Sequence, residues 1–136
     1  MREELPLHDA FFDGIVIKDK VATLYFSTAD RRGCEVRLSG IDALHMDDFQ
    51  QGNIVVSFEA TTGEPPRKTV NLERLYGSPH PSAAREYHEK FEAFLARKHG
   101  AIEAGELTVV EMQPAIGANL LATCERVELK YHGNGS

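Results

Sequence analysis

Apolar and polar positions along this chain alternate with two different periods. Over residues 11–17, Phe11, Ile15 and Ile17 share one parity, and Phe12 and Val16 share the other. The polar triplet Lys18-Asp19-Lys20 makes a hairpin loop. Ala22, Leu24 and Phe26 then alternate with Thr23, Tyr25 and Ser27. Asp30-Arg31-Arg32-Gly33 is a second turn, with Gly33 supplying a positive φ. Cys34, Val36 and Leu38 face one way, and Glu35, Arg37 and Ser39 the other. Period two with charges opposite apolar residues predicts half-buried strands with one wet face. Residues 42–51 are polar apart from Ala43, Leu44, Met46 and Phe49, and read as a short helix that Gly52 ends. Ile54, Val56 and Phe58 return to strand pattern, with those three inward. Residues 69–75 read as a fifth strand.

The period then changes. Ala84, Tyr87, Phe91, Phe94, Leu95 and Ile102 form one stripe on a helix of about 18–22 residues. Ser78, Pro79 and Pro81 stand just before it, where such residues open helices. Residues 107–112 and 119–131 are two more strands around a loop at 113–117. Residues 132–136 read as a frayed polar tail. The sum is about seven strands and one long amphipathic helix, without βαβ alternation. That predicts a single α+β domain, residues 1–136, with an antiparallel β-sheet. Its helix should cover the face holding Leu24, Phe26, Val36, Leu38, Val56 and Phe58.

Composition narrows the classes of function. The chain has 136 residues, 42% hydrophobic and 26% charged, with net charge -6. It can bury a core without disulfide staples. The acidic balance argues against nucleic acid, whose phosphates need a basic stripe. No stretch is apolar enough to span a membrane. The charged start, Met1-Arg2-Glu3-Glu4, has no apolar segment behind it, which reads as a cytoplasmic protein. Cys34 and Cys124 then read as reduced core thiols.

Candidate chemistry is sparse. There is no Walker loop, GxGxxG, GxSxG or HExxH, so no cofactor is expected and the reading leans away from an enzyme. His8-Asp9 can serve as a metal ligand pair or an oriented base, or can cap a turn. His45, Asp47 and Asp48 are a second cluster, and a divalent cation would fit if the two clusters met. His88, Glu92 and His99 lie close to one helical face. The two histidines stand about 16 Å apart along the axis, too far for one metal, so this reads as a solvated flank. Tyr25 and Tyr76 are candidate interface aromatics. Asp42, Asp47 and Asp48 form a local acidic face suited to a basic protein partner.

Leu7-His8-Asp9-Ala10, the segment LSGIDAL at 38–44 and GNIVVSF at 52–58 resemble small bacterial domains of uncharacterised function. Some of these are grouped with immunity proteins of polymorphic toxin systems. The resemblance covers residues 7–58 and implies a cytosolic protein that binds and blocks a partner without catalysis. Three readings therefore stand. The first is a non-catalytic protein-binding module. The second is a metal-binding protein or metal-assisted hydrolase using the His/Asp clusters. The third is a self-associating subunit, a homo-oligomer joined through an exposed strand edge.

Overall fold

The computed structural model describes residues 1–132. It contains strands β1 (Arg2–Glu4), β2 (Phe11–Lys18), β3 (Val21–Ser27), β4 (Gly33–Ser39), β5 (Ala43–Asp47) and β6 (Asn53–Thr61). Helices α1 (Leu72–Tyr76) and α2 (Arg85–Glu103) follow, then β7 (Thr108–Ile116), β8 (Asn119–Cys124) and β9 (Arg126–Tyr131). All nine strands join one antiparallel sheet, ordered β5-β8-β7-β6-β2-β3-β4-β9, with β1 added on β6. The expected α+β class is correct.

The ends of this sheet are two halves of one bent hairpin. β4 runs into β5 across residues 40–42, and β8 runs into β9 across Glu125. β4 pairs with β9 while β5 pairs with β8, so the pairing circuit closes on itself. The bend has a local cause. Gly40 has φ +64, and a Cβ there would sit 2.6 Å from the Glu125 carboxyl carbon. Glycine takes this turn without the strain a side chain would add, and leaves room for the Glu125 side chain beside it. The enclosed core holds Phe12, Leu24, Phe26, Val36, Leu38, Phe58 and their neighbours. Phe26 meets Phe58 edge-on, with ring centroids 5.9 Å apart.

Several sequence expectations change, each for a definable reason. Residues 42–51 do not form a helix. Leu44 and Met46 pack against the core, while Ala43, on the opposite parity, packs under the helices. Pairing with β8, from Ala43↔Thr123 to Asp47↔Asn119, overrides the helix-like spacing. Residues 69–75 are not a strand. Asn71 caps α1, its Oδ1 accepting from Arg74 N–H at 3.1 Å, and Leu72 and Leu75 bury one face. Val56 points out rather than in, because the register of β6 against β7 shifts on either side of Val55. Val55 and Phe58 take the inward places. Arg31, not Gly33, supplies the positive φ of the β3–β4 turn. β1 escaped the sequence reading because all three of its residues are charged and exposed. His132 is held by its backbone bond to Gly33 O at 2.9 Å; the rest of the expected frayed tail, residues 133–136, lies outside the described residues.

The long helix has the expected length, 19 residues, but covers a different surface. Because the sheet closes, Leu24, Phe26, Val36, Leu38 and Phe58 face an interior that needs no helix. α2 instead lies with α1 over the outer face of β5, β8 and β7. There Ile102 joins Leu72, Leu75, Leu107, Val109 and Leu121 in a second apolar cluster. Ile102 is the one buried residue of α2.

Candidate partner-binding groove

The first turn after β4 begins a polar brace between sheet and helices. Asp42 accepts a hydrogen bond from the Tyr76 hydroxyl at 2.5 Å and an ion pair from Lys98 at 2.9 Å. Thr123 on β8 lies 2.7 Å from the same hydroxyl. Partial burial works against the Asp42 carboxylate. The Tyr76, Lys98 and Thr123 donors outweigh it and hold the group below the usual carboxylate range. Burial, then the Asp42 contact, pushes the Tyr76 phenol well above its ordinary value. One strand turn on, Asp47 pairs with Arg74 of α1 and with His45 at 3.1 Å.

Four of the sequence candidates, Asp42, His45, Asp47 and Tyr76, therefore gather at one seam between β5 and the helices. Their charges are largely met there by Lys98 and Arg74. Asp48 follows β5 with φ 59, in the chain reversal that leaves the strand. His8 and Asp9 lie elsewhere, against β6. His8 Nδ1–H donates to Val56 O at 2.8 Å, and its Nε2 is 3.5 Å from Asp9. Among the described residues no three His, Cys, Asp or Glu side chains come close enough to hold a metal ion. Tyr25 sits on the outer face of β3 between Gly14 and Glu35, apart from Tyr76.

Beyond the brace, α2 leaves the body. The Phe94 ring meets Tyr76 edge-on at 5.0 Å and stacks with Phe91 at 6.1 Å. This aromatic run leads to a groove of about 290 Å³ between α2 and the loop that precedes it. Pro79, Pro81 and Phe91 supply its apolar surface; Glu73, Glu92 and His88 supply its polar groups. Among the described residues neither Glu73 nor Glu92 makes an ion pair. One helical turn before Phe91, the stripe residue Tyr87 is 55% exposed. Past Glu73 a shallower hollow of about 520 Å³ continues along α2 beside Leu95 and His99.

Sequence reasoning placed His88, Glu92 and His99 on one face but read it as a solvated flank. It missed that this face lines a groove. The available signal was Ser78-Pro79-His80-Pro81, a stiff segment forced to run beside the helix it opens. The thiols of Cys34 and Cys124 are both free and buried. Burial raises both, Cys124 to about 11, which leaves them unreactive at neutral pH.

Fold and groove together define a small antiparallel α+β domain with a partly bare helix. Among the described residues no helix is long and apolar enough to cross a membrane. No protein-family model matches the chain, and no curated protein matches it. Among solved structures, the chain is similar to an uncharacterized protein from Neisseria gonorrhoeae. The match has a TM-score of 0.50 at 10% sequence identity and covers 95% of this chain and 96% of the other. The likeness concerns the fold, and it extends over nearly the whole length of both chains.

Proposed function

We propose that this protein is a non-catalytic binding module that takes a basic, partly apolar segment of a partner protein into the groove beside α2. One observation carries the reading: a groove with a proline and phenylalanine surface has two carboxylates on it that make no ion pair among the described residues. An arginine or lysine would place its stem on Phe91, Pro79 and Pro81 and its charge between Glu73 and Glu92. Tyr87 adds a stiff amphipathic side chain beside it, the kind that anchors interfaces. The overall charge of -6 would steer such a partner in, with an association rate that falls as salt rises. As an inhibitor of immunity type, acting in the cytoplasm, the protein would block its partner by occupying that segment. This finer part rests on the resemblance of residues 7–58.

The test uses isotope-labelled protein titrated with two amphipathic peptides of equal length, one lysine- and arginine-rich, one glutamate-rich. The basic peptide should shift the amides of Glu73, His88, Phe91 and Glu92, and Glu73→Gln/Glu92→Gln should abolish those shifts. Equal response to both peptides, or shifts that spare the groove, would refute the reading. Affinity capture with wild type and the double variant in parallel would then separate groove-dependent partners from adventitious ones.

A further inference from the structure

We infer that β9 is a homodimerisation edge, on which a second copy of the chain adds antiparallel with Leu129 opposite Leu129. Among the described residues β9 pairs only with β4, so its other edge is unpaired; at its start, Arg126 and Val127 share a pocket with Met1, Glu3 and Thr108. His132 N–H bonds Gly33 O, which fixes the phase of the ladder. The even-numbered residues turn their backbone groups toward β4. Val127, Leu129 and Tyr131 turn theirs to the open edge. A two-fold axis through Leu129 would pair exactly those residues: Leu129 with itself, and Val127 with Tyr131 of the other copy. Backbone phase and side-chain register thus agree.

Charge selects this register. The outer face of β4–β9 already alternates, with Glu35 opposite Lys130 and Arg37 opposite Glu128. Across the axis Lys130 would meet Glu128 of the second copy. A row then reads Glu35, Lys130, Glu128, Arg37, with signs alternating through both chains, and its symmetry mate runs the other way. The inner face stays apolar, because Val127, Leu129 and Tyr131 all pack against the core. The neighbouring register centred on Val127 sets Lys130 opposite the buried Cys124 and Leu129 opposite Glu125, mixing charge with apolar surface. β9 has no proline and no inward-pointing charge to block strand addition; its charges, Arg126, Glu128 and Lys130, all lie on the outer face.

Charge reversal tests register and partner together. In Glu128→Lys both cross-axis pairs become lysine against lysine. In Lys130→Glu both become glutamate against glutamate. Sedimentation equilibrium and native mass spectrometry should show wild type dimerising with concentration, and each variant weakened about tenfold or more. Mixed in equal amounts, with one variant isotopically labelled, the two should recover a heterodimer at wild-type strength. A wild type that stays monomeric up to about 1 mM overturns the inference. So does a Lys130→Glu variant that dimerises as well as wild type, which would fit the Val127 register. Hydrogen exchange on wild type alone guards against misfolded variants. The Leu129 and Tyr131 amides should slow as concentration rises, and unchanged rates would count against the edge.

Discussion

Tyr76→Phe removes one oxygen from the brace that fixes α1 and α2 on β5. That hydroxyl donates to Asp42 at 2.5 Å and lies 2.7 Å from Thr123 Oγ1. One of these bonds is to a charged group. A neutral bond contributes about 1 kcal/mol and a charged one about 1.5–3, while Lys98 and water partly replace the lost donor on a half-exposed carboxylate. The expected loss at pH 7 is about 1–2 kcal/mol. Its pH dependence is more diagnostic than its size. Asp42 has a depressed folded pKa, so its contribution is present above the unfolded value and lost as pH falls through the folded one. The Tyr76–Asp42 bond is part of that contribution, so the difference between wild type and variant should shrink below about pH 4. Tyr76 has a raised folded pKa, so its contribution is full below the unfolded value of about 10 and declines above it. By pH 11 about 1.4 kcal/mol of the difference should be gone, because only the wild-type unfolded state gains that ionisation. Urea unfolding of both proteins at intervals from pH 3 to 11 measures it, and the other tyrosines cancel between them. A difference that stays flat across this range would refute the brace as described.

Further outcomes follow from other contacts. Asn53 is buried and bonds four backbone groups: its Oδ1 accepts from Gln50 N–H at 2.9 Å and Ala118 N–H at 3.0 Å, and its Nδ2 donates to Phe12 O and Gln50 O. Asn53→Ala leaves the buried Ala118 amide unmet, while Phe12 O keeps the Asn53 backbone N–H of the β2–β6 ladder, and should cost about 2–3 kcal/mol in urea unfolding, a loss under 1 being incompatible with this network. Gly117→Ala, whose Cβ would fall 2.2 Å from Asn53 Oδ1 at φ +87, should be less damaging in the Asn53→Ala background than alone. His8 should titrate above 6.5 in an NMR pH series, because its bond to Val56 O and the nearby Asp9 both favour the charged ring. Asp9→Asn should lower it, and the ring's small contribution to stability should be present below 6.5 and lost as pH rises through the folded value.

What the sequence made legible was local. The hairpin β2–β3 was read from Lys18-Asp19-Lys20, and Asp19 and Lys20 do take the two positive φ values that such a turn requires. The alternation in β3 and β4 was equally plain, since each inward residue there is buried. Closure of the sheet was not legible. It depends on β4 and β5 meeting β9 and β8, segments more than seventy residues apart with no local signal linking them. The helix was found but its target was not, because a stripe shows that a face is apolar and not what lies under it. β5 was misread for the same reason. Its pattern is decided by β8, which lies more than seventy residues further along the chain.

The acidic residues carry the same lesson into function. Sequence neighbours made Asp42, Asp47 and Asp48 look like an open acidic face. In the fold, Lys98 and Arg74 come to Asp42 and Asp47, and those carboxylates hold the helices to the sheet. A charge already met inside the molecule offers a partner little, since binding would first have to separate the pair. Among the described residues Glu73 and Glu92 make no such ion pair, and they stand beside apolar surface, where a partner's cation would be partly desolvated and more strongly held. The helix that carries Glu92 is anchored along its C-terminal half, from the contact of Phe94 with Tyr76 to the buried Ile102. An isolated helix of this length is marginal in water. Its outer turns therefore depend on that anchor, and a segment packed against Tyr87 and Phe91 would supply the apolar cover that the fold leaves out.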